Sequence, residues 1–166
     1  MLELGRILLH GTILSVLASL ILIAAVYFNP RFARQDLPKD IQDATPPLSK
    51  KEKLQALAFA IPFFALVVLV PFFSGFTLEA PAGGQVPFLV LFLHIFGVIF
   101  VFSLFDLLIL DFLIYCTITP KFVIIPGTEG LAGYKDYGHQ ARAHMRGTAL
   151  QAAFALLLAV VVILIR

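Results

Sequence analysis

Hydrophobic residues in this chain gather in long, nearly unbroken runs rather than in the three-to-four-residue alternation of a helix that is wet on one side. Four runs stand out, at about 7–28, 54–76, 88–115 and 147–165. A bilayer core about 30 Å thick takes about 20 helical residues to cross. Each run is close to that length or longer, and lipid offers no partners to a backbone outside a helix. The pattern predicts an all-α fold: an integral membrane four-helix bundle of up-down connectivity, forming one transmembrane domain over residues 1–166. The first run exceeds the roughly 7–15 apolar residues of a secretory signal, and no small-x-small site precedes Asn29. It is read as a retained span.

Composition agrees with this reading. The chain is 60% hydrophobic and 13% charged, with mean hydropathy +0.98, against about 45–50% and about 25% for soluble domains. A soluble fold of this length could not hide that much apolar surface. The net charge of +2 is too small to suggest nucleic acid, and a single cysteine, Cys116, excludes an internal disulfide.

The placement of the cations changes the picture more than their number. Arg31, Arg34, Lys39, Lys50, Lys51 and Lys53 lie in the linker 29–53, and Lys121, Lys135, Arg142 and Arg146 in the linker 117–146. The segment between the second and third runs has none, and each terminus has one, Arg6 and Arg166. The positive-inside rule then places both basic linkers in the cytoplasm and both termini outside. The bilayer is the expected environment. The bacterial inner membrane is the expected location, since no mitochondrial, lipidation or retention signal is visible. Tyr27, Tyr115, Tyr134 and Tyr137 lie at or just beyond the ends of apolar runs, where interfacial rings anchor.

Local signals refine the elements. Ser49 and Glu52 form a capping box before the second span, and Pro62 and Pro71 should bend it. Small residues recur every four positions as Gly11, Ser15 and Ser19 in the first span, and with Gly147, Gln151, Ala155 and Ala159 in the fourth. Such rows let helices approach closely in lipid, and Gly97 marks the third span in the same way. Phe88, Phe92, Phe96 and Phe100 form a bulky ridge for packing or lipid contact.

Polar residues within the runs are the candidate chemistry. Counting 1.5 Å per residue from Pro87 puts His94 roughly 10 Å deep and Asp106 about 28 Å down, near the inner boundary. Asp111 lies five residues further on, about 140° around an α-helix, so the two carboxylates should diverge. His10 counts to the outer boundary, about 10 Å above His94, which argues against a shared haem. In the last linker, Gly127, Gly130 and Gly133 mark tight turns rather than a phosphate loop, and the apolar Phe122–Ile125 should tuck under the bundle. From about Tyr137 the pattern is helical into the fourth span. His139, Arg142 and Arg146 then share a face and call for an anionic partner, either lipid phosphate or the carboxylates Asp106 and Asp111.

These residues support three readings. The first is a non-enzymatic bundle whose cytoplasmic face, built from Asp106, Asp111, Glu129, His139, Arg142, His144 and Arg146, binds anionic lipid headgroups or another membrane subunit. The second is a membrane-embedded metal-dependent enzyme. Asp106, Asp111, His139 and His144 would be the ligands, and Arg142, Arg146 and Lys121 would hold a substrate phosphate. The five-residue spacing of His139 and His144 requires a helix break for convergence. The third is a proton or ion path through His94 and Asp106, about 18 Å apart along the axis. The sequence names no catalytic residue and no cofactor.

Overall fold

The computed structural model describes residues 2–80 and 84–166. Five α-helices carry the fold: α1 (Leu4–Phe28), α2 (Lys39–Asp43), α3 (Lys50–Phe76), α4 (Phe88–Phe105) and α5 (Tyr137–Ile165). α4 runs on into a π-helical segment, Asp106–Ile118. No strand occurs among the described residues. Four helices are long and apolar enough to cross a membrane: α1, α3, α4 with its π continuation, and α5. The segment between α3 and α4, read from sequence as cation-free, lies partly outside the described residues.

Each helix begins where its local chemistry allows. Ser49 Oγ accepts from the Glu52 amide while the Glu52 carboxylate accepts from the Ser49 amide, so the capping box forms as read. α3 continues through Pro62 and Pro71. α5 opens on the Asp136 carboxylate, which accepts from the His139 amide at 2.8 Å, and is helical well before its apolar part.

The helices pack as the small-residue rows require. A Cβ on Gly11 would meet Val101 Cβ at 2.6 Å, and one on Gly97 would meet Ile7 at 3.0 Å. Leu14 and Ala18 of α1 bury against Val98 and Phe102 of α4, with Phe63 and Val67 of α3 alongside. Leu91, Ile95 and Ile99 of α4 form a second core with Ala155, Leu158, Ala159 and Val162 of α5. The aromatic ridge stacks Phe92 on Phe96 and Phe96 on Phe100. The row on α5 divides: Ala155 and Ala159 are fully buried, whereas Gly147 and Gln151 border a cleft.

One end of the bundle gathers the starts of α1 and α4 and the ends of α3 and α5. Arg6 donates to Thr77, and Arg166 to the Leu78 carbonyl. His10 Nδ1 lies 2.6 Å from Ser74 Oγ, which lies 2.7 Å from His94 Nε2. The two histidines therefore flank one hydroxyl, and the expected 10 Å offset is wrong. His10 was placed at the outer boundary by its run, which opens at residue 7, whereas α1 itself starts at Leu4. Each histidine is six positions from the first residue of its helix (10 − 4 and 94 − 88).

At the other end the two basic linkers fold together. Leu37 and Ile41 bury against Ile125 and Tyr134, with Tyr115 and Leu131 beside them. Val123 and Ile125 are each 1% exposed, so the Phe122–Ile125 stretch is tucked in as expected. Gly127 and Gly130 take φ of 87° and 81°, where a side chain is strained. The Gly133 amide donates to Asp40 Oδ2 at 2.8 Å, and a Cβ there would overlap that carboxylate.

Candidate metal centre

The π-helical winding decides the site. Bonding from i to i+5 stacks residues five apart, so Asp106 and Asp111 turn to the same side instead of diverging by about 140°. The α-helical geometry assumed for this segment is corrected by that winding. At its end the Thr119 amide reaches back to the Ile114 carbonyl at 2.8 Å. Lys135 Nζ caps the exposed end by donating to the Thr117 carbonyl and Thr119 Oγ1.

His144 of α5 meets both carboxylates. Its Nε2 lies 2.9 Å from Asp111 Oδ2 and 3.6 Å from Asp106 Oδ2. One ligand atom from each of the three residues lies within 4.8 Å of the others. Their side chains are only 17–25% exposed. A divalent cation bonded at about 2.0–2.2 Å to nitrogen or carboxylate oxygen fits a triangle of this size after small side-chain rotations.

The far side of the imidazole is also organised. Gln151 Nε2 donates to Ser103 Oγ at 3.0 Å, and Ser103 Oγ lies 3.2 Å from His144 Nδ1. With Ser103 accepting from Nδ1–H, the Nε2 lone pair faces the carboxylates, as a metal ligand requires. Without a cation, a proton on Nε2 bridges to Asp111 instead.

These groups border a cleft of about 630 Å³. Its polar lining includes Asp36, Tyr115, His139, Arg146 and Gln151, and its apolar lining Leu22, Val26, Phe63 and Phe64. Among the described residues, the buried Tyr115 hydroxyl and Gln151 Oε1 have no hydrogen-bond partner. Asp36 is exposed at the rim of the cleft, where partial loss of hydration and then the Asp111 carboxylate hold its carboxyl above the ordinary pKa of 3.8, with His139 opposing.

The remaining sequence candidates scatter. His139 borders the cleft, but its Nε2 bonds the Asp36 backbone carbonyl at 3.0 Å rather than joining His144. α5 has no break, so five positions keep the two rings apart. Arg142 is 3.9 Å from Asp136. Arg146 Nε donates to the Arg142 carbonyl, and among the described residues no carboxylate lies within ion-pair distance of Arg146. The expected pairing of Arg142 and Arg146 with Asp106 and Asp111 is therefore replaced by His144. Glu129 accepts from the Gly127 amide within its own turn. Lys121 opens a short 3₁₀ turn, Lys121–Val123, whose Phe122 and Val123, rather than Lys121, line the cleft.

Sequence reasoning missed Asp36, and it read Tyr115 as an interfacial anchor and Gln151 as a packing residue. Ser103, three positions before Asp106, was read as sharing that carboxylate's face, but not as the partner of His144. No signal marked Asp36, because the folding of its linker brings it to the cleft.

Four helices long and apolar enough to span a membrane suggest a multi-pass membrane protein. No known protein family, curated protein or solved structure matches it.

Proposed function

We propose that this protein is a membrane-embedded, metal-dependent enzyme whose active centre lies at the inner boundary of an up-down four-helix bundle. On this reading both termini face outward and both basic linkers face the cytoplasm, as the distribution of Lys and Arg favours. Cysteine accessibility tests the orientation. In a Cys116→Ser background, a probe at Gly130 is shielded from an impermeant external reagent and a probe at Gln85 is modified; the opposite pattern overturns it.

The observation that carries the metal reading is the convergence of Asp106, Asp111 and His144 within 4.8 Å at the wall of a cleft. Two carboxylates and an imidazole suit Mn²⁺, Fe²⁺ or Zn²⁺, which take mixed oxygen and nitrogen ligands. Such an ion in an open site lowers the pKa of a bound water and polarises a substrate oxygen. Asp36, which borders the same cleft, would be the carboxyl that exchanges the proton.

Manganese titration followed by electron paramagnetic resonance tests the reading on detergent-purified protein stripped with EDTA. One Mn²⁺ per chain is expected, with affinity falling at least about tenfold in Asp106→Asn, Asp111→Asn and His144→Ala while helix content is retained. Failure of the intact protein to bind Mn²⁺ or Zn²⁺ overturns it. The 2.9 Å His144–Asp111 contact favours one alternative, a structural lock between α4 and α5. In that case His144→Ala lowers the melting temperature and no metal binds.

A further inference from the structure

We infer that the cleft takes a phosphate-bearing lipid, with the phosphate between the metal and Arg146 and the hydrocarbon chain leaving across Phe63 and Phe64. This rests on the metal reading above. Three observations carry it.

The first is the mixed lining. The π segment and α5 bring Asp106, Asp111, Tyr115, His144 and Arg146 to the cleft, among apolar neighbours such as Leu110 and Ile114, whereas α1 and α3 bring only apolar groups, Leu22, Ile23, Val26, Phe63 and Phe64. Its volume of about 630 Å³ lies within the about 300–1,000 Å³ of ligand sites. A wholly polar solute would leave the aromatic wall unused, and a hydrocarbon would leave the charges unpaired. Phe64 borders the cleft yet is 62% exposed, so the apolar wall opens sideways onto the outer surface of the bundle. On a membrane-spanning reading, that surface faces lipid.

The second is charge balance. Two carboxylates repel a phosphate, but a divalent cation neutralises both. Arg146 then supplies the remaining positive charge. Its Nε is held by its own helix, and its two terminal nitrogens have no partner among the described residues. A guanidinium held this way is suited to bidentate phosphate binding. Recognition must therefore be metal-dependent, and by linkage the lipid must tighten metal binding by the same factor.

The third is unused bonding capacity. The Tyr115 hydroxyl and Gln151 Oε1 are buried without partners among the described residues, although buried polar groups are nearly always paired. Both border the cleft. The hydroxyl can donate to a phosphate oxygen, and the amide oxygen can accept from a lipid hydroxyl. At Gly147, also on the cleft, a Cβ meets nothing within 4 Å. A large side chain there can fill the opening without disturbing packed neighbours.

The test is Mn²⁺ affinity of the full chain in detergent, alone and with each of three probes: dioctanoyl phosphatidic acid, glycerol 3-phosphate and dioctanoylglycerol. Phosphatidic acid is expected to tighten Mn²⁺ binding by at least about tenfold, with little effect from the other two. The ratio with and without lipid, taken within each variant, should fall to about one in Arg146→Gln and in Gly147→Phe. If Mn²⁺ binds but phosphatidic acid leaves its affinity unchanged, the lipid inference fails and the metal centre stands. If glycerol 3-phosphate acts as strongly as the lipid, the site takes soluble phosphates and the role of the apolar wall is refuted. If no metal binds, both readings fall together.

Discussion

Replacing Ser74 by alanine tests how the end of the bundle opposite the cleft is held. The Ser74 hydroxyl is 2% exposed and bridges His10 and His94 at 2.6 and 2.7 Å. The substitution keeps the Cβ, so it opens little space; its effect is on hydrogen bonding. His10 is only part-buried and can turn to water. His94 cannot, being 0% exposed, and its Nδ1 already lacks a partner. Without Ser74 neither ring nitrogen is satisfied. Orphaning a buried polar group costs about 1–3 kcal/mol. At about 2–4 °C per kcal/mol for a chain of this size, the melting temperature should fall by roughly 2–12 °C. Thermal unfolding in detergent, followed by loss of the monodisperse chromatographic peak, reads this directly. The double variant Ser74→Ala/His94→Leu should recover at least half of the loss, since removing both partners removes the orphan. A melting temperature unchanged by Ser74→Ala, or no recovery in the double variant, refutes the reasoning.

Other outcomes follow from the same geometry. Because the Asp36 pKa is raised in the fold, its carboxyl favours folding only while protonated, and as pH rises through the raised value the ionised form costs stability. Asp36→Asn should therefore match the parent near about pH 4 and melt higher than it at about pH 8, measured in EDTA; a pH-independent difference contradicts this. Ser103→Ala removes the group behind His144 Nδ1 and should weaken Mn²⁺ about 10–100-fold with the three ligands intact, whereas an unchanged affinity denies that role. Gly133→Ala pushes a Cβ into the Asp40 carboxylate that holds the linkers together. Protease should cut the 117–136 segment faster in that variant, and an unchanged cleavage rate would show that the contact holds nothing.

Much of the fold was legible because hydropathy is local. Runs such as 7–28 and 54–76 must be helical wherever they pack, and the Ser49–Glu52 box acts within one turn. The spacing of Gly11, Ser15 and Ser19 named the face of α1 that packs on α4 before any partner was known. α5 begins at Tyr137, where the helical pattern was read, whereas α1 and α3 begin three and four residues before their apolar runs, because polar first turns carry no hydropathy signal. The site was half legible. Asp106, Asp111 and His144 all stood out as polar residues in or beside apolar runs, but their arrangement did not.

What the sequence determined by itself is the set of four apolar helices, their caps and the segregation of cations into two linkers. All of these depend on neighbours within a few positions. Only the tertiary structure decided that α4 unwinds into a π-helix so that Asp106 and Asp111 face His144 together. It also decided that His144, and not Arg142 or Arg146, meets them, that Ser74 joins His10 to His94, and that the linker carrying Asp36 folds back to the cleft. Each of these depends on which residues distant in the chain come into contact, and a helical period assumed in advance hides the winding that brings them there.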